Sequence, residues 1–284
     1  MESNVLPGVM NLVNNITFNK NKIISKYKNG ISIRKLSIEY NHCRKTISKL
    51  LKENNINIRD NSISLRKYYH DEDYFETIDS EEKAYWLGFI YADGFVESKR
   101  INSNQKFGIT LNNIDYDHLL KFKKSINATN PIKEYKGSGY NKDGIFVKIL
   151  LTSKKTVNDL IDKGCIESKT LKLKFPTNKQ VPSIYIKDFI RGYMDGDGSI
   201  SFYYKNDKRI YQMTFVGTCD MLNGIQNFFG KKLHYTSKDG ITYQLRIGGN
   251  KQVKKFMDIL YKNANIYLDR KYNKYLELLK YSES

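Results

Sequence analysis

The sequence predicts an α+β fold in which an αββαββα unit occurs twice, preceded by a small all-α domain. A nonapeptide, Trp86-Leu-Gly-Phe-Ile-Tyr-Ala-Asp-Gly94, returns as Ile190-Arg-Gly-Tyr-Met-Asp-Gly-Asp-Gly198. Strand and helix patterns follow both copies in the same order. A compact helical pattern precedes the first copy. We therefore expect an internal duplication behind a separate N-terminal domain.

Composition changes along the chain set the expected boundaries. Residues 1–19 lack periodicity and are expected to form a loose arm, whereas residues 20–60 show apolar residues at helical spacing and turn signals, which favours three short helices. Residues 61–79 are acidic and read as a linker that could dock through its aromatic side chains. Residues 80–180 and 181–284 are the two repeated halves.

Each nonapeptide has the pattern of the last turns of a helix. Asp79 or Ser80 is expected to cap the first helix and Ser183 the second, and Gly94 and Gly198 are expected to follow the helix ends with positive φ. Small residues four apart leave a stripe on each helix without large side chains. Such stripes allow two helix backbones to touch.

The acids Asp93 and Asp197 then stand at helix C-termini, where the partial negative charge of the helix disfavours an acid by roughly 0.3–1 kcal/mol. A cation near both acids would offset that cost. If the two helices lie side by side and parallel, their ends form a cradle for a divalent metal. An EF-hand is excluded, because Ile200 and Asn206 occupy the positions that need glycine and glutamate.

The strands after each nonapeptide also repeat. Asp93 and Asp197 are 104 residues apart (197 − 93), and the strand around Ile109 answers the strand around Met213 at the same distance. The strand from Val147 aligns with the strand from Tyr243 at a distance of 96 (243 − 147), which predicts that the second half lacks a loop of about eight residues. Alternation predicts Ile149, Leu151, Leu245 and Ile247 on the inner faces and Lys148, Leu150, Gln244 and Arg246 on the outer faces.

The charge balance favours a polyanionic partner. The chain has 48 basic and 30 acidic residues, a net charge of +18, which points first to nucleic acid and second to an anionic membrane surface. No apolar run is long enough to span a bilayer and the N-terminus is not a signal peptide, so we expect a soluble intracellular protein without a membrane partner. The three cysteines, Cys43, Cys165 and Cys219, suggest neither disulfides nor a zinc site, which leaves a hard, oxygen-bound metal.

The two nonapeptides together resemble the signature motifs of the LAGLIDADG homing endonucleases, in the form in which one chain carries both halves. Tyr91 departs from the motif, because an acid stands at its sixth position and Asp195 supplies that acid in the second copy. The resemblance implies a monomeric, pseudo-symmetric, site-specific endonuclease that cuts double-stranded DNA with Mg²⁺ or Mn²⁺. It implies metal binding by Asp93, Asp197 and the main-chain carbonyls of Ala92 and Gly196. It also implies catalytic lysines, Lys169 and Lys271, that polarise water and stabilise the transition state.

Residues 20–60 are similar to the helix-turn-helix of resolvase-type DNA-binding domains, through Tyr27, Gly30, Ile56 and Arg59. The segment holds eleven basic and three acidic residues, a net charge of +8 (11 − 3). A recognition helix from Cys43 to Glu53 would present a polar and basic face to a major groove, namely Arg44, Lys45, Ser48, Lys49 and Lys52. The alternative is a small helical bundle with a solvated basic face.

Two antiparallel sheets with polar outer faces form a saddle suited to duplex DNA. Outer-face residues would read base edges, and basic residues at strand tips would follow the phosphate backbone. The expected contacts in the two halves are Lys99, Arg100, Lys106, Lys148, Lys205, Arg209, Gln244 and Arg246, with Asn102, Asn104, Tyr203 and Lys208 beside them.

Two other functions remain open from the sequence. The chain could be a transcriptional regulator that binds DNA without cutting it, although both acids and both lysines are retained. It could also be an intron maturase that holds folded RNA on the same basic saddle. The target sequence, the host compartment and the genetic setting of the gene are not encoded in any residue pattern.

Overall fold

The computed structural model describes residues 20–58, 67–98, 105–139, 142–230, 235–237 and 242–283. The chain divides into two compact units, Met1–Lys67 and Tyr68–Ser284. Four of the residues expected to contact DNA, namely Lys99, Arg100, Asn102 and Asn104, lie outside the described residues, as do Arg59 and the expected N-terminal arm.

Over residues 20–58, the first unit has three helices around a small core. They are α1 (residues 20–28), α2 (Ile33–Glu39) and α3 (Arg44–Glu53). Ser32 caps α2 and Cys43 caps α3, each by accepting a hydrogen bond from a main-chain N–H three residues later. The core consists of the apolar residues that the helical spacing predicts, Ile23, Tyr27, Leu36, Ile47, Leu50 and Leu51.

The second unit begins before the first signature motif. Tyr74 and Phe75 are buried in its core, whereas Tyr68 and Tyr69 are exposed. The main-chain N–H of Asp71 donates to the carbonyl of Ile126 at 2.8 Å. The acidic segment from Tyr68 onward therefore packs on the first half, with two of its four aromatic residues as anchors.

The first half has the predicted αββαββα order. Its first helix, α4 (Glu81–Asp93), is capped by Ser80 and runs directly into a strand. The elements that follow are β1 (Gly94–Glu97), β2 (Lys106–Asn112), α5 (Tyr116–Ser125), β3 (Ile132–Lys136), β4 (Ile145–Thr152) and α6 (Lys154–Asp162).

The second half repeats this order and adds one helix. Its elements are α7 (Ile186–Asp197), β5 (Ser199–Lys205), β6 (Lys208–Gly217), α8 (Cys219–Phe228), β7 (Tyr235–Ser237), β8 (Tyr243–Gly248), α9 (Asn250–Tyr261) and α10 (Asp269–Glu283). Helix α10 was not expected from the sequence. Ser183 lies in a short 3₁₀ turn and does not cap α7, so the prediction of that cap is wrong.

Each half builds one four-stranded antiparallel sheet, in the orders β1-β2-β4-β3 and β5-β6-β8-β7. Ile109 pairs with Ile149 in the first sheet, and Met213 pairs with Ile247 in the second. All four side chains are buried. The predicted inner faces are confirmed, and these faces carry the hydrophobic core.

The strand pairing corrects the predicted alignment of the halves. Since Ile109 and Met213 are equivalent, their partners Ile149 and Ile247 are equivalent too, at a distance of 98 residues (247 − 149) rather than 96. The loss in the second half is six residues (104 − 98). The counterpart of Lys148 is therefore Arg246, because Lys148 pairs with Thr110 and Arg246 pairs with Thr214.

Helices α4 and α7 touch along their small residues. A Cβ atom added at Gly88 would lie 2.0 Å from the carbonyl oxygen of Phe189, and one at Gly192 would lie 2.0 Å from that of Tyr85. Gly196 lies against Ala92 in the same way, at 2.2 Å from its Cβ. The predicted backbone contact is confirmed.

The glycines after the two helices do not have positive φ. Gly94 has φ −79° and Gly198 has φ −89°, because each helix passes into an extended strand without a loop. The reason for glycine is space. A Cβ at Gly94 would lie 2.8 Å from the carbonyl oxygen of Ile90, and one at Gly198 would lie 2.5 Å from that of Met194.

Candidate active site at the ends of the signature helices

The contact between α4 and α7 brings Asp93 and Asp197 to the same end of the helix pair. Each acid is the last residue of its helix. A Cβ added at Gly196 would lie 3.4 Å from Oδ2 of Asp93, so the first acid lies against the end of the second helix. The predicted pairing of the two acids is thus present in the fold.

Both carboxyl groups are disfavoured in their charged form. Burial and the charge of Asp197 raise the pKa of Asp93 to about 6. Asp197 has solvent-exposed surface. The protein packed around its carboxyl group nevertheless removes part of the water that would stabilise the charged form, and this desolvation raises the pKa of Asp197 as well. A pair of acids held at this cost is typical of a functional site.

The two candidate lysines donate hydrogen bonds to main-chain carbonyl oxygens at the helix ends that carry the acids. Nζ of Lys169 donates to the carbonyls of Ile90, Tyr91 and Ala92 at 2.5, 2.5 and 2.6 Å. These carbonyls belong to the last turn of the helix, where the partial charge is negative, and that of Ile90 also accepts from the main-chain N–H of Gly94. Lys169 therefore satisfies the end of α4.

Lys271, in the first turn of α10, does the same for α7. Its Nζ donates to the carbonyls of Met194 and Asp195 at 2.6 Å each, and to those of Gly198 and Gly196 at 2.7 and 3.3 Å. Burial lowers the pKa of Lys271 to about 8 and lowers the pKa of Lys169 too. The sequence required a cation near the acids, and the structure supplies two.

A divalent metal fits this end of the helix pair. Among the described residues, no group of three or more His, Cys, Asp or Glu side chains could hold a metal ion. The oxygen atoms available at this end are two carboxylates and main-chain carbonyls, a set that suits Mg²⁺, an ion that commonly uses one or two carboxylates together with water and substrate phosphate. The carbonyls of Ala92 and Gly196 already accept lysine hydrogen bonds, and each retains a second lone pair.

Sequence reasoning missed Arg270 as a neighbour of the acids. Nε of Arg270 donates to both oxygens of Asp115 at 3.0 and 3.1 Å, which links α10 of the second half to the 3₁₀ turn before α5 of the first. The charge of Arg270 lowers the pKa of Asp93 as a minor contribution. Only its position beside Lys271 could have signalled this role.

The outer face of the first sheet is basic. Lys148 lies on this face with Nζ 4.3 Å from the ring centroid of Phe95. Lys133 is its cross-strand neighbour and is exposed, a residue that the sequence analysis missed although β3 alternates regularly. Two lysines directly opposite each other repel, which a bound polyanion would relieve.

The outer face of the second sheet carries the predicted polar residues. Arg246 is exposed and donates to Oε1 of Gln244 at 3.2 Å. Lys205 and Lys208 pair at the tip of the β5–β6 hairpin, and both are exposed. Lys106 begins β2 of the first sheet and is half-buried.

Arg209 lies on the other face of its strand. It shares that face with the buried Tyr211, and its guanidinium stacks 4.7 Å from the ring centroid of Phe202. Its Nε donates to the hydroxyl of Tyr204 at 3.2 Å. Arg209 thus packs on its own strand pair.

In the first unit, the predicted recognition helix corresponds to α3. Arg44, Lys45 and Lys49 are exposed and Ser48 is half-buried on this helix, while Ile47 is buried. The charged side chains therefore lie on the face that the core leaves free. Over the ranges that the structure covers, no helix is both long and apolar enough to span a bilayer.

The chain was compared with known proteins. Residues 190–282 match the family model described as LAGLIDADG endonuclease. No curated protein matches the chain. Among solved structures, the meganuclease I-SmaMI bound to uncleavable DNA is 13% identical and has a TM-score of 0.50, over 71% of this chain and 90% of that one.

A second similar structure is the I-LtrWI LAGLIDADG homing endonuclease bound to target DNA. It is 11% identical, with a TM-score of 0.48, and the match covers 75% of this chain and 92% of that one. The resemblance to the LAGLIDADG homing endonucleases is confirmed, in sequence over residues 190–282 and in fold over most of the chain. The helix-turn-helix of residues 20–60 stays a prediction.

Proposed function

We propose that the chain is a site-specific DNA endonuclease that hydrolyses phosphodiester bonds in both strands of a duplex with Mg²⁺ or Mn²⁺. The observation that carries the proposal is the convergence of Asp93 and Asp197 at the ends of two touching helices, beside two sheets with basic and polar outer faces. The similar structures I-SmaMI and I-LtrWI are described as bound to DNA. A monomer with pseudo-two-fold symmetry would place one sheet on each half of the site.

Asp93 and Asp197 would hold the metal with the carbonyls of Ala92 and Gly196. When bound, the metal would stabilise negative charge on the scissile phosphate and activate a water molecule. Lys169 and Lys271 fix the helix ends that present the acids. Their ammonium charges also make the floor of the site positive, which favours a phosphate above it and the charge that develops during hydrolysis.

A DNA-binding regulator is the second candidate, and one observation favours it. An ammonium group has three donors, and Lys169 directs all three to main-chain carbonyls. In this arrangement it has none left for water. Catalysis would require that one of these hydrogen bonds be exchanged when DNA binds. An RNA-binding role is a prediction from the sequence alone.

Selection from a randomised duplex library separates the two candidates. The purified chain is incubated with the library and Mg²⁺, and cut and bound molecules are sequenced separately. We expect double-strand breaks at one defined site with the wild type, and none with the Asp93→Asn/Asp197→Asn double variant. Asp159→Asn, which removes a carboxylate bound to Lys155 on α6, is the matched control and should cut normally. Enrichment of a bound sequence without cutting in Mg²⁺ or Mn²⁺ would leave the regulator.

A further inference from the structure

The sixth position of the two signature motifs carries different side chains, Tyr91 in the first copy and Asp195 in the second. Both are buried, with 1% and 0% of their surface exposed. Tyr91 cannot make the same hydrogen bonds as a carboxylate, because a phenol hydroxyl donates a hydrogen bond whereas an ionised acid accepts one. The contacts of the two residues nevertheless lead to equivalent places.

In the first half, Tyr91 holds the start of the segment that carries Lys169. The hydroxyl of Tyr91 donates to the carbonyl of Lys163 at 2.5 Å, at the end of α6. The next residue is Gly164, which has φ +97°, and a Cβ added there would lie 2.1 Å from the Tyr91 hydroxyl. The hydroxyl contact at Lys163 and the left-handed glycine after it thus lie six and five residues before Lys169.

In the second half, Asp195 holds both ends of the connection between α9 and α10. Its Oδ1 accepts from the hydroxyl of Tyr261, the last residue of α9, at 2.6 Å. Its Oδ2 accepts from the main-chain N–H of Leu268 at 2.7 Å. The carbonyl of Leu268 in turn accepts from the N–H of Lys271 at 3.0 Å, so the acid fixes the turn that begins α10.

A third donor connects this anchor to the first half. The hydroxyl of Tyr85, on α4, donates to Oδ2 of Asp195 at 2.8 Å and lies 3.0 Å from Nε2 of the buried His118. The fully buried carboxylate therefore has three hydrogen-bond donors, as a buried acid requires. Loss of the acid would remove the acceptor of the Tyr261 hydroxyl and of the Leu268 N–H.

We propose that the sixth motif residue of each half is a positioning residue that anchors the segment bearing the lysine of that same half. Tyr91 anchors Lys169 by donating to a carbonyl, and Asp195 anchors Lys271 by accepting from an N–H. The direction of the hydrogen bond is reversed between the two halves, but in both it holds the segment that carries the lysine. The inference depends on the proposed endonuclease function only for its effect on cleavage.

Lysine acylation tests the anchoring without DNA or metal. The folded protein receives a short pulse of an acetylating N-hydroxysuccinimide ester, and mass spectrometry of peptides gives the modified fraction of each lysine. Because each anchor is a buried hydrogen bond, its loss should make its own lysine roughly tenfold more reactive. Asp195→Asn should act on Lys271 and leave Lys169 unchanged, and Tyr91→Phe should do the reverse.

A control on α7 removes a similar group that does not reach a lysine segment. Tyr193→Phe deletes a hydroxyl that donates to the carbonyl of Val216 at 2.7 Å. It should not change the labelling of either lysine. An equal increase in the labelling of both lysines in an anchor variant would overturn the proposal, because general destabilisation of the fold does not act on one half alone. No change in the labelling of either lysine would also overturn it.

Strand-resolved cleavage then gives the functional consequence. On the duplex obtained by selection, Asp195→Asn and Tyr91→Phe should slow the cutting of opposite strands, so that nicked product accumulates on a different strand in each variant. Slowing of the same strand by both variants would contradict the assignment to halves. If the wild type cuts no DNA, the proposed function fails, and the labelling experiment still decides the anchoring.

Discussion

Asp93 is placed where a charged group costs stability. It ends a helix, lies near a second acid, and has a pKa raised to about 6 from an ordinary value of 3.8. At pH 7 the folded protein must nevertheless hold it ionised. Such a cost is expected where binding of a cation is the purpose of the residue.

Asp93→Asn should therefore stabilise the metal-free protein at pH 7, by roughly 1–3 kcal/mol. Since the pKa is raised on folding, the carboxyl favours folding below pH 3.8 and loses that advantage as the pH rises to about 6. The advantage of the variant over the wild type should grow across this range. Thermal melts of both proteins in EDTA at a series of pH values measure it, and a difference that does not change with pH would contradict the account.

Added metal should make the wild type more stable than the Asp93→Asn variant. Mg²⁺ or Ca²⁺ that binds the folded state raises the melting temperature of the wild type in proportion to the logarithm of its concentration. The Asp93→Asn variant should show a much smaller rise, and Asp159→Asn should behave as the wild type. Equal rises in all three proteins would place the metal elsewhere.

The helix pair depends on close contact between backbones, so its glycines cannot gain a side chain. Gly192→Ala places a Cβ 2.0 Å from a carbonyl oxygen and should destabilise the second unit by about 3 kcal/mol or more. Gly248→Ala is the matched control, because no atom lies within 4 Å of its added Cβ and its φ is not positive. Urea unfolding of both variants measures the difference, and similar midpoints would contradict the packing.

The sheet face offers a test of charge repulsion. Lys133→Gln removes one of two opposed lysines and should stabilise the free protein by about 0.2–1 kcal/mol, while weakening its affinity for duplex DNA. Lys136→Gln changes a lysine on the same strand that alternation places on the opposite face. It should have little effect on either quantity. Unfolding and fluorescence-anisotropy titrations give the two values, and equal behaviour of the variants would remove Lys133 from the DNA surface.

Most elements could be predicted because alternation and helical spacing are strong in this sequence. Alternation does not, however, show which strand residues of the two halves are equivalent. An error of two residues in that alignment, such as a distance of 96 instead of 98, leaves every side chain on the same face of its sheet, so alternation alone cannot detect it. Helix α10 was not predicted, because polar residues dominate its exposed positions. Its buried residues Tyr275 and Leu278 lie in a segment for which the sequence analysis considered only Lys271.

The residues at the candidate site could be found from the repeat, but their partners could not. Motif spacing leads to Asp93 and Asp197, and the family resemblance leads to Lys169 and Lys271. That the lysines bind helix-end carbonyls depends on the path of two connections, which no local pattern specifies. The contact between Arg270 and Asp115 crosses 155 residues and joins the two halves, so it too depends on tertiary structure.

At the scale of the whole molecule, a net charge of +18 would make the proposed DNA binding strongly dependent on salt. Arg44→Ala/Lys45→Ala removes two exposed charges from α3. If both contact phosphates, the slope of log binding constant against log salt should fall by about 1.8, at roughly 0.9 per contact. Lys26→Ala with Lys28→Ala, which removes two charges from α1, should change the slope less. Equal changes would mean that α3 contributes only to the overall charge.

The two halves of the second unit are joined by buried polar contacts. The guanidinium of Arg191 is 1% exposed and donates to Glu81 of the first half at 2.7 Å and to the carbonyl of Ile266 of the second at 2.9 Å. A buried charge of this kind is strongly destabilising when its partner is removed. The relative placement of Asp93 and Asp197 is therefore fixed by the core on which they stand.

The most direct test of the central claim is to locate the metal. Fe²⁺ replaces Mg²⁺ in the complex with duplex DNA, and ascorbate and peroxide generate hydroxyl radicals that cut the protein chain near the ion. We predict cuts at the ends of both signature helices, next to residues 93 and 197, that excess Mg²⁺ suppresses and the Asp93→Asn/Asp197→Asn variant lacks. Cuts elsewhere, or cuts that persist in that variant, would contradict the assignment of this site.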